Sequence, residues 1–177
     1  MVLCAALFSY CAFAREVADA SGRTFDFDAP PTAATVVPNI SQEVYAIGAQ
    51  DFLLGNSNYC IYPEDAKYKP KLGGLLNPDY EKIAKAAPEI FLLPLSPTGR
   101  AIARRLESVG VRPFFLNTEG IENVSKDILL LGKVFFKDAA AEKIARDFDA
   151  EIRDERGRQA GRLKESVAKR ILINLYF

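Results

Sequence analysis

Residues 77–94 read NPDYEKIAKAAPEIFLLP. Two periodicities meet in this stretch. Tyr80, Ile83, Ala84 and Ala87 fall at spacings of three and four, which puts them on one face of a helix. Pro78 suits the first helical turn, where its missing N–H would have no partner anyway, and Asp79 and Glu81 suit the positive end of the helix dipole. Pro88 closes the helix. Glu89-Ile90-Phe91-Leu92-Leu93 then runs apolar without alternation, as a strand buried on both faces does, and Pro94 breaks it.

The same grammar recurs on both sides. Downstream, residues 98–109 predict a helix with Ile102, Leu106 and Val109 on one stripe, Gly110 ends it, and Pro113-Phe114-Phe115-Leu116 is the next strand. Upstream, Thr35-Val36-Val37 is a short β-branched strand stopped by Pro38. Asn39 is expected to cap a helix, with Gln42 as the reciprocal member of a capping box, and Gly48 to end it. Phe52-Leu53-Leu54-Gly55 reads as a second strand. Strands alternating with helices predict an α/β fold: a parallel sheet flanked by helices, a Rossmann-like lobe. Ligands of such sheets bind beyond the carboxyl ends of the strands, here the loops at 38–40, 56–62 and 94–96.

The flanks complete the plan. Residues 15–28 alternate around a Ser21-Gly22 turn and read as a hairpin. Residues 121–136 predict a helix with Val124, Ile128, Leu131 and Phe135 on one face. A longer helix begins near Asp138, carries Ala141, Ile144, Phe148 and Ile152, and is expected to reach about residue 167. Residues 169–177 (KRILINLYF) look like a fresh buried strand, so the expectation is a lobe at 15–120, helices over 121–168, and the first strand of a second lobe that the chain does not complete. Residues 1–14 (MVLCAALFSYCAFA) are uncharged, too short to span a bilayer, and end in Ala12-Phe13-Ala14, as the apolar part of a secretory signal peptide does; the alternative is a buried first element. A lipoprotein signal fits poorly, because Phe8-Ser9-Tyr10 precedes Cys11. Cleavage after Ala14 would leave Cys60 as the only thiol.

Composition removes several classes of function. Hydrophobic residues make up 49% of the 177, enough for a core of its own. Net charge is zero with 23 basic and 23 acidic residues, which argues against nucleic acid as main partner. There is no histidine, the commonest general base and metal ligand. No G-x-G-x-x-G, Walker A or G-x-S-x-G motif occurs. No catalytic residue and no metal site is expected.

Binding residues are easier to nominate. Residues 56–70 (NSNYCIYPEDAKYKP) form a long loop at the ligand end of the sheet. Tyr59 and Tyr62 offer aromatic planes to a flat or macrocyclic ligand, or pack the loop onto the domain. Cys60 reads first as a small buried hydrophobe. Asn39, Ile40, Leu95 and Ser96 sit at strand ends, and Gly74, in the flexible pair Gly73-Gly74, joins the ligand-facing set. Glu81 stabilises its helix dipole by about 0.3–1 kcal/mol and is free to do more.

Four stretches together resemble the N-terminal half of the substrate-binding proteins of cobalamin and iron–siderophore ABC importers. Residues 15–24 are similar to the opening hairpin of that family. Residues 35–48 resemble its first strand and helix, although Asn39-Ile40-Ser41-Gln42 departs from the usual P-x-x-T-E by replacing the carboxylate. Residues 56–63 resemble S-x-Y-C-x-Y-P, and residues 77–83 resemble N-P-x-x-E-x-I. The resemblance implies two α/β lobes joined by one rigid helix, a periplasmic location, and cobalamin or a ferric siderophore as ligand rather than any resident cofactor. It implies that Glu81 pairs with an arginine of the membrane permease. The alternative is an interaction module that folds without binding ligand tightly, or dimerises through residues 171–177.

Overall fold

The computed structural model describes residues 14–158; the expected signal peptide, the end of the last helix and the strand at 169–177 lie outside them. Two strands, β1 (Arg15–Ala18) and β2 (Thr24–Phe27), pair antiparallel as the alternation predicts, with Val17, Phe25 and Phe27 turned inward. Asp19 shapes the turn. Its Oδ1 accepts from the Ser21 N–H (2.8 Å), the Ser21 hydroxyl (2.7 Å) and the Arg23 N–H (3.0 Å), and its Oδ2 accepts from the Phe115 N–H at 3.1 Å. One buried carboxylate therefore folds the hairpin and fastens it to the sheet.

The main sheet is parallel throughout. It is built from β3 (Ala33–Thr35), β4 (Leu53–Gly55), β7 (Ile90–Pro94) and β8 (Arg112–Leu116), in the spatial order β4-β3-β7-β8. The short ladder between, β5 (Gly73–Gly74) and β6 (Asn77–Pro78), stands apart. Along β7 the side chains alternate between two cores. Ile90 and Leu92 join Phe114, Ile128, Phe135 and Phe148 on one face, while Phe91 and Leu93 join Leu72, Ile83, Ile102 and Leu106 on the other. That is why the strand shows no polar alternation: both faces are dry. Each of these fully buried phenylalanines contributes about 1.5–3 kcal/mol of burial.

Helices α1 (Pro38–Ala46), α4 (Val124–Val134) and α5 (Asp138–Arg158) cover the first face; α2 (Tyr80–Ala86) and α3 (Pro97–Glu107) cover the second. The expected α5 stripe is confirmed, with Ala141, Ile144, Phe148 and Ile152 all buried. α4 and α5 approach closely enough that a Cβ on Gly132 would strike the Ala141 methyl.

Several boundaries differ from the expectation, each for a local reason. β3 ends at Thr35, not Val37, because the Thr35 hydroxyl accepts from the Val37 N–H at 3.1 Å and bends the chain off the sheet. α1 starts at Pro38 with Val37 as its unassisted N-cap, so Asn39 lies inside the first turn and forms no capping box. Pro78 belongs to β6, and Asp79 caps α2 by accepting from the Lys82 N–H at 3.1 Å. Of the expected α2 face only Ile83 is fully buried; Ala84 and Ala87 are exposed. Val109 lies past the end of α3 and is 47% exposed. α4 begins after a 3-10 turn over Ile121–Asn123.

Candidate functional site

The chain reverses its direction of travel within the sheet. It steps from β3 outward to β4, then returns past β3 to β7 and on to β8. Such a reversal leaves a crevice beyond the carboxyl ends of the two central strands. The segments that follow those ends are the candidate site.

Beyond β7, Leu95 is half-buried and donates its N–H to the Leu116 carbonyl at 2.7 Å. Ser96 caps α3, its hydroxyl oxygen accepting from the Gly99 N–H at 3.1 Å. Gly99 is required there, because a Cβ would run into the Pro94 carbonyl oxygen. The capping hydroxyl still carries a proton it can donate outward.

Beyond β3, Asn39 is half-buried in the first turn of α1, and its side chain is hydrogen-bonded to Glu43 one turn on. Ile40, expected to face the ligand, is fully buried in the core instead. The residue after a strand end is not automatically a lining residue: once Pro38 starts the helix, position 40 points down into the sheet.

Beyond β4 the chain runs on beside residues 71–73. The Asn58 N–H donates to the Gly73 carbonyl and the Leu72 N–H to the Asn56 carbonyl, both at 2.9 Å. Tyr59 is 69% exposed, with its ring against Gly74; a Cβ there would lie 2.8 Å from the ring Cε2. Gly74 is itself buried, so its part in the site is to seat the Tyr59 ring. Tyr62 is half-buried. Cys60 between them is buried, with its thiol 3.6 Å from the Tyr62 carbonyl oxygen and hydrogen-bonded to Ser41 of α1. It packs the loop to the helix, the role its residue type suggests.

The structure thus brings Tyr59, Gly74 and Asn77 into contact and leaves Asn39 and Ser96 on separate strand ends. Other large hydrophobic residues are exposed on the same loop, at Ile61 and Tyr68, and at the tip of the β5–β6 ladder, where Leu76 is 90% exposed. Glu81 is exposed in the first turn of α2, just past that tip, and makes no ion pair among the described residues.

Sequence reasoning missed the polar groups that hold this rim. Lys71 donates to Asn56 Oδ1 (2.8 Å), the Cys60 carbonyl (2.9 Å) and the Ala66 carbonyl (2.9 Å). Burial draws its ammonium pKa below the ordinary lysine value. A second missed pair lies under α1. Glu43 and Asp127 are buried at 2% and 3% exposure, and Glu43 Oε2 and Asp127 Oδ2 have no hydrogen-bond partner among the described residues. Desolvation raises the Asp127 pKa to about 6, although its Oδ1 accepts from the Asn117 N–H at 3.0 Å. Glu43 is raised well above the carboxylate range by desolvation and then by the Asp127 charge.

An open cleft of about 590 Å³ lies elsewhere, at the amino end of β8, between the hairpin turn and the end of α3. Arg23, Thr24, Phe25, Val111 and Arg112 line it. It shares no residue with the candidate site.

A doubly wound parallel lobe with an aromatic rim beyond its strand ends and a long closing helix is the architecture of a ligand-binding α/β protein. The sequence profile of the family described as periplasmic binding protein matches residues 34–166, and the chain belongs to that family. Among curated relatives, an uncharacterized ABC transporter substrate-binding lipoprotein, YvrC, of Bacillus subtilis is 22% identical over 129 residues, which is 71% of this chain and 40% of that protein. The fold is similar to the periplasmic vitamin B12 binding protein BtuF of Vibrio cholerae, with a TM-score of 0.67, 22% identity, and coverage of 75% of this chain and 52% of that one. It is also similar to the siderophore binding protein BauB, solved with a complex of two acinetobactin molecules and ferric iron, with a TM-score of 0.69, 20% identity, and coverage of 85% and 56%. The chain spans about half the length of these solved relatives or less of the curated one. Among the described residues no helix is long and apolar enough to cross a membrane.

Proposed function

We propose that this chain is the N-terminal lobe of an exported, periplasmic substrate-binding component of an ABC importer, and that it carries a metal chelate, cobalamin or a ferric siderophore, to the membrane permease. The observation that supports it most is the Tyr59 ring, held largely in solvent on Gly74 beyond the end of β4. An aromatic plane fixed in water loses little entropy when a flat ligand stacks on it. Tyr62, Leu95 and the outward proton of Ser96 extend that surface, and the Asn39 side chain fixes a polar edge of the ligand. Binding needs no chemical step, so no residue here is assigned a catalytic role. Glu81, exposed and without an ion pair among the described residues, is the docking carboxylate for a permease arginine, where complementary charge sets register more than strength.

A single lobe offers half the contact of a two-lobed clamp, so affinity of the isolated chain is weak. Equilibrium dialysis against cyanocobalamin and against a ferric siderophore checks this. One of the two ligands is retained weakly by the wild type and not by Tyr59→Ala. Equal retention by both proteins, or retention of neither ligand at any concentration, contradicts the reading. For docking, Glu81→Lys abolishes co-elution with permease vesicles without touching chelate retention.

A further inference from the structure

The loop that carries Tyr59 and Tyr62 is exposed at Asn58, Tyr59, Ile61, Glu64, Asp65, Lys67 and Tyr68, and between residues 58 and 68 only Cys60 and Ala66 are buried in the core. Its order has to come from its inner side, where the polar groups converge on one atom. Lys71 Nζ spends all three of its protons on oxygens, and those oxygens come from three points along the loop: its start at Asn56, its middle at Cys60 and its far limb at Ala66. Asn56 is fully buried and locked in turn: its amide Nδ2 donates to the same Ala66 carbonyl at 2.9 Å, and its own N–H donates to the Pro70 carbonyl at 2.9 Å. No carboxylate takes part. Three neutral oxygens around one monovalent cation is the chemistry of a small cation site, with the cation supplied by the chain.

We propose that Lys71 is the positioning residue of the aromatic loop: its ammonium acts as a tethered cation that fixes Cys60 and Ala66 at the end of β4 and so holds Tyr59 over Gly74. Without that charge Asn56 Oδ1 and the Cys60 carbonyl lose their donor, and the loop is left with the Asn56 amide bond to Ala66, the Asn58–Gly73 bonds and the Cys60 packing, so it opens far more often. Chelate binding then falls with it; that consequence rests on the function proposed above, whereas the positioning itself does not.

Cys60 is buried with the loop in place, so its alkylation reports loop opening. Alkylation of Cys60, followed on its own peptide by mass spectrometry, is expected to be at least about tenfold faster in Lys71→Met than in the wild type. Lys71→Ala behaves likewise, and added propylammonium restores protection while propanol does not, because the charge and not the stem is what the oxygens need. An unchanged Cys60 rate in folded Lys71→Met, or equal rescue by propanol, overturns the proposal. The wild type supplies a test that no folding defect can spoil. Reductive methylation is expected to be at least about tenfold slower at Lys71 than at the exposed Lys67, and equal rates overturn the proposal. Neither readout contains a ligand, so protection of Cys60 and Lys71 together with no chelate retention sinks the transport reading alone.

Discussion

Lys71 and Asp127 are both charged groups drawn into this lobe, but their surroundings differ. The lysine meets three oxygens at 2.8–2.9 Å and has every proton placed. The aspartate meets one backbone N–H at 3.0 Å, a second acid, and, among the described residues, no partner for its other oxygen. The first arrangement recovers much of the cost of desolvation through charge-assisted hydrogen bonds, though its pKa still drops; the second recovers less, and its pKa rises to about 6. A buried charge holds structure in proportion to its partners, not to its burial.

Breaking the satisfied cluster has the largest effect. Lys71→Met leaves Asn56 Oδ1 and the Cys60 carbonyl without their donor and lowers stability by about 3 kcal/mol in urea denaturation. Relieving the unsatisfied cluster works the other way. Asp127→Asn keeps an oxygen for the Asn117 N–H and removes the charge, so it raises stability at pH 7 by about 2 kcal/mol. The pH dependence follows from the sign of the shift. A carboxyl whose folded pKa is raised binds its proton more tightly when folded, so its contribution is complete below the unfolded value and is lost as pH rises through about 6. Wild-type stability therefore climbs as pH falls from 7 to 5, and in Asp127→Asn the climb is shallower, the share of Glu43, raised first by desolvation, remaining. A pH series of urea midpoints measures both.

Two smaller effects sharpen the contrast between strain and exposure. Ala87 ends α2 at φ 46°, in the left-handed region that lacks a cost only for glycine, and its side chain is exposed. Ala87→Gly therefore gains about 1 kcal/mol by thermal denaturation. Tyr59→Ala removes a ring that the fold scarcely buries and changes stability by less than about 0.5 kcal/mol. A large loss there would mean that the ring is structural and the ligand role is wrong.

What the sequence displayed and what it hid divide along range. Ile90, Phe91, Leu92 and Leu93 announce a strand dry on both sides, and the recurrence of helix and strand announces a parallel lobe; both signals are local and apolar. The α5 stripe was equally legible. The misplaced boundaries came from competition between side chain and backbone. Thr35 uses its hydroxyl to end β3, and Pro38 claims the first helical position that the Asn39 cap would have needed. The polar clusters were not legible, because Lys71 meets Asn56 across a loop, Asp19 meets Phe115 across most of the domain, and Glu43 meets Asp127 only once α1 and α4 lie on the same sheet face. In the candidate site, Tyr59 and Glu81 are exposed and Gly74 is buried under the Tyr59 ring, whereas Ile40 turned inward because a helix, unlike a loop, dictates which side each residue faces.

The central claim is that ligand binds at the carboxyl ends of the parallel strands, on the aromatic rim. Backbone amide shifts of the ¹⁵N-labelled protein, followed during titration with cyanocobalamin and with a ferric siderophore, test it directly. The account predicts that one titration moves the amides of Asn58, Tyr59, Tyr62, Gly74 and Ser96 and leaves Arg23, Thr24 and Arg112 at the opposite cleft in place. Shifts confined to that opposite cleft, with the Tyr59 rim unmoved, would contradict it.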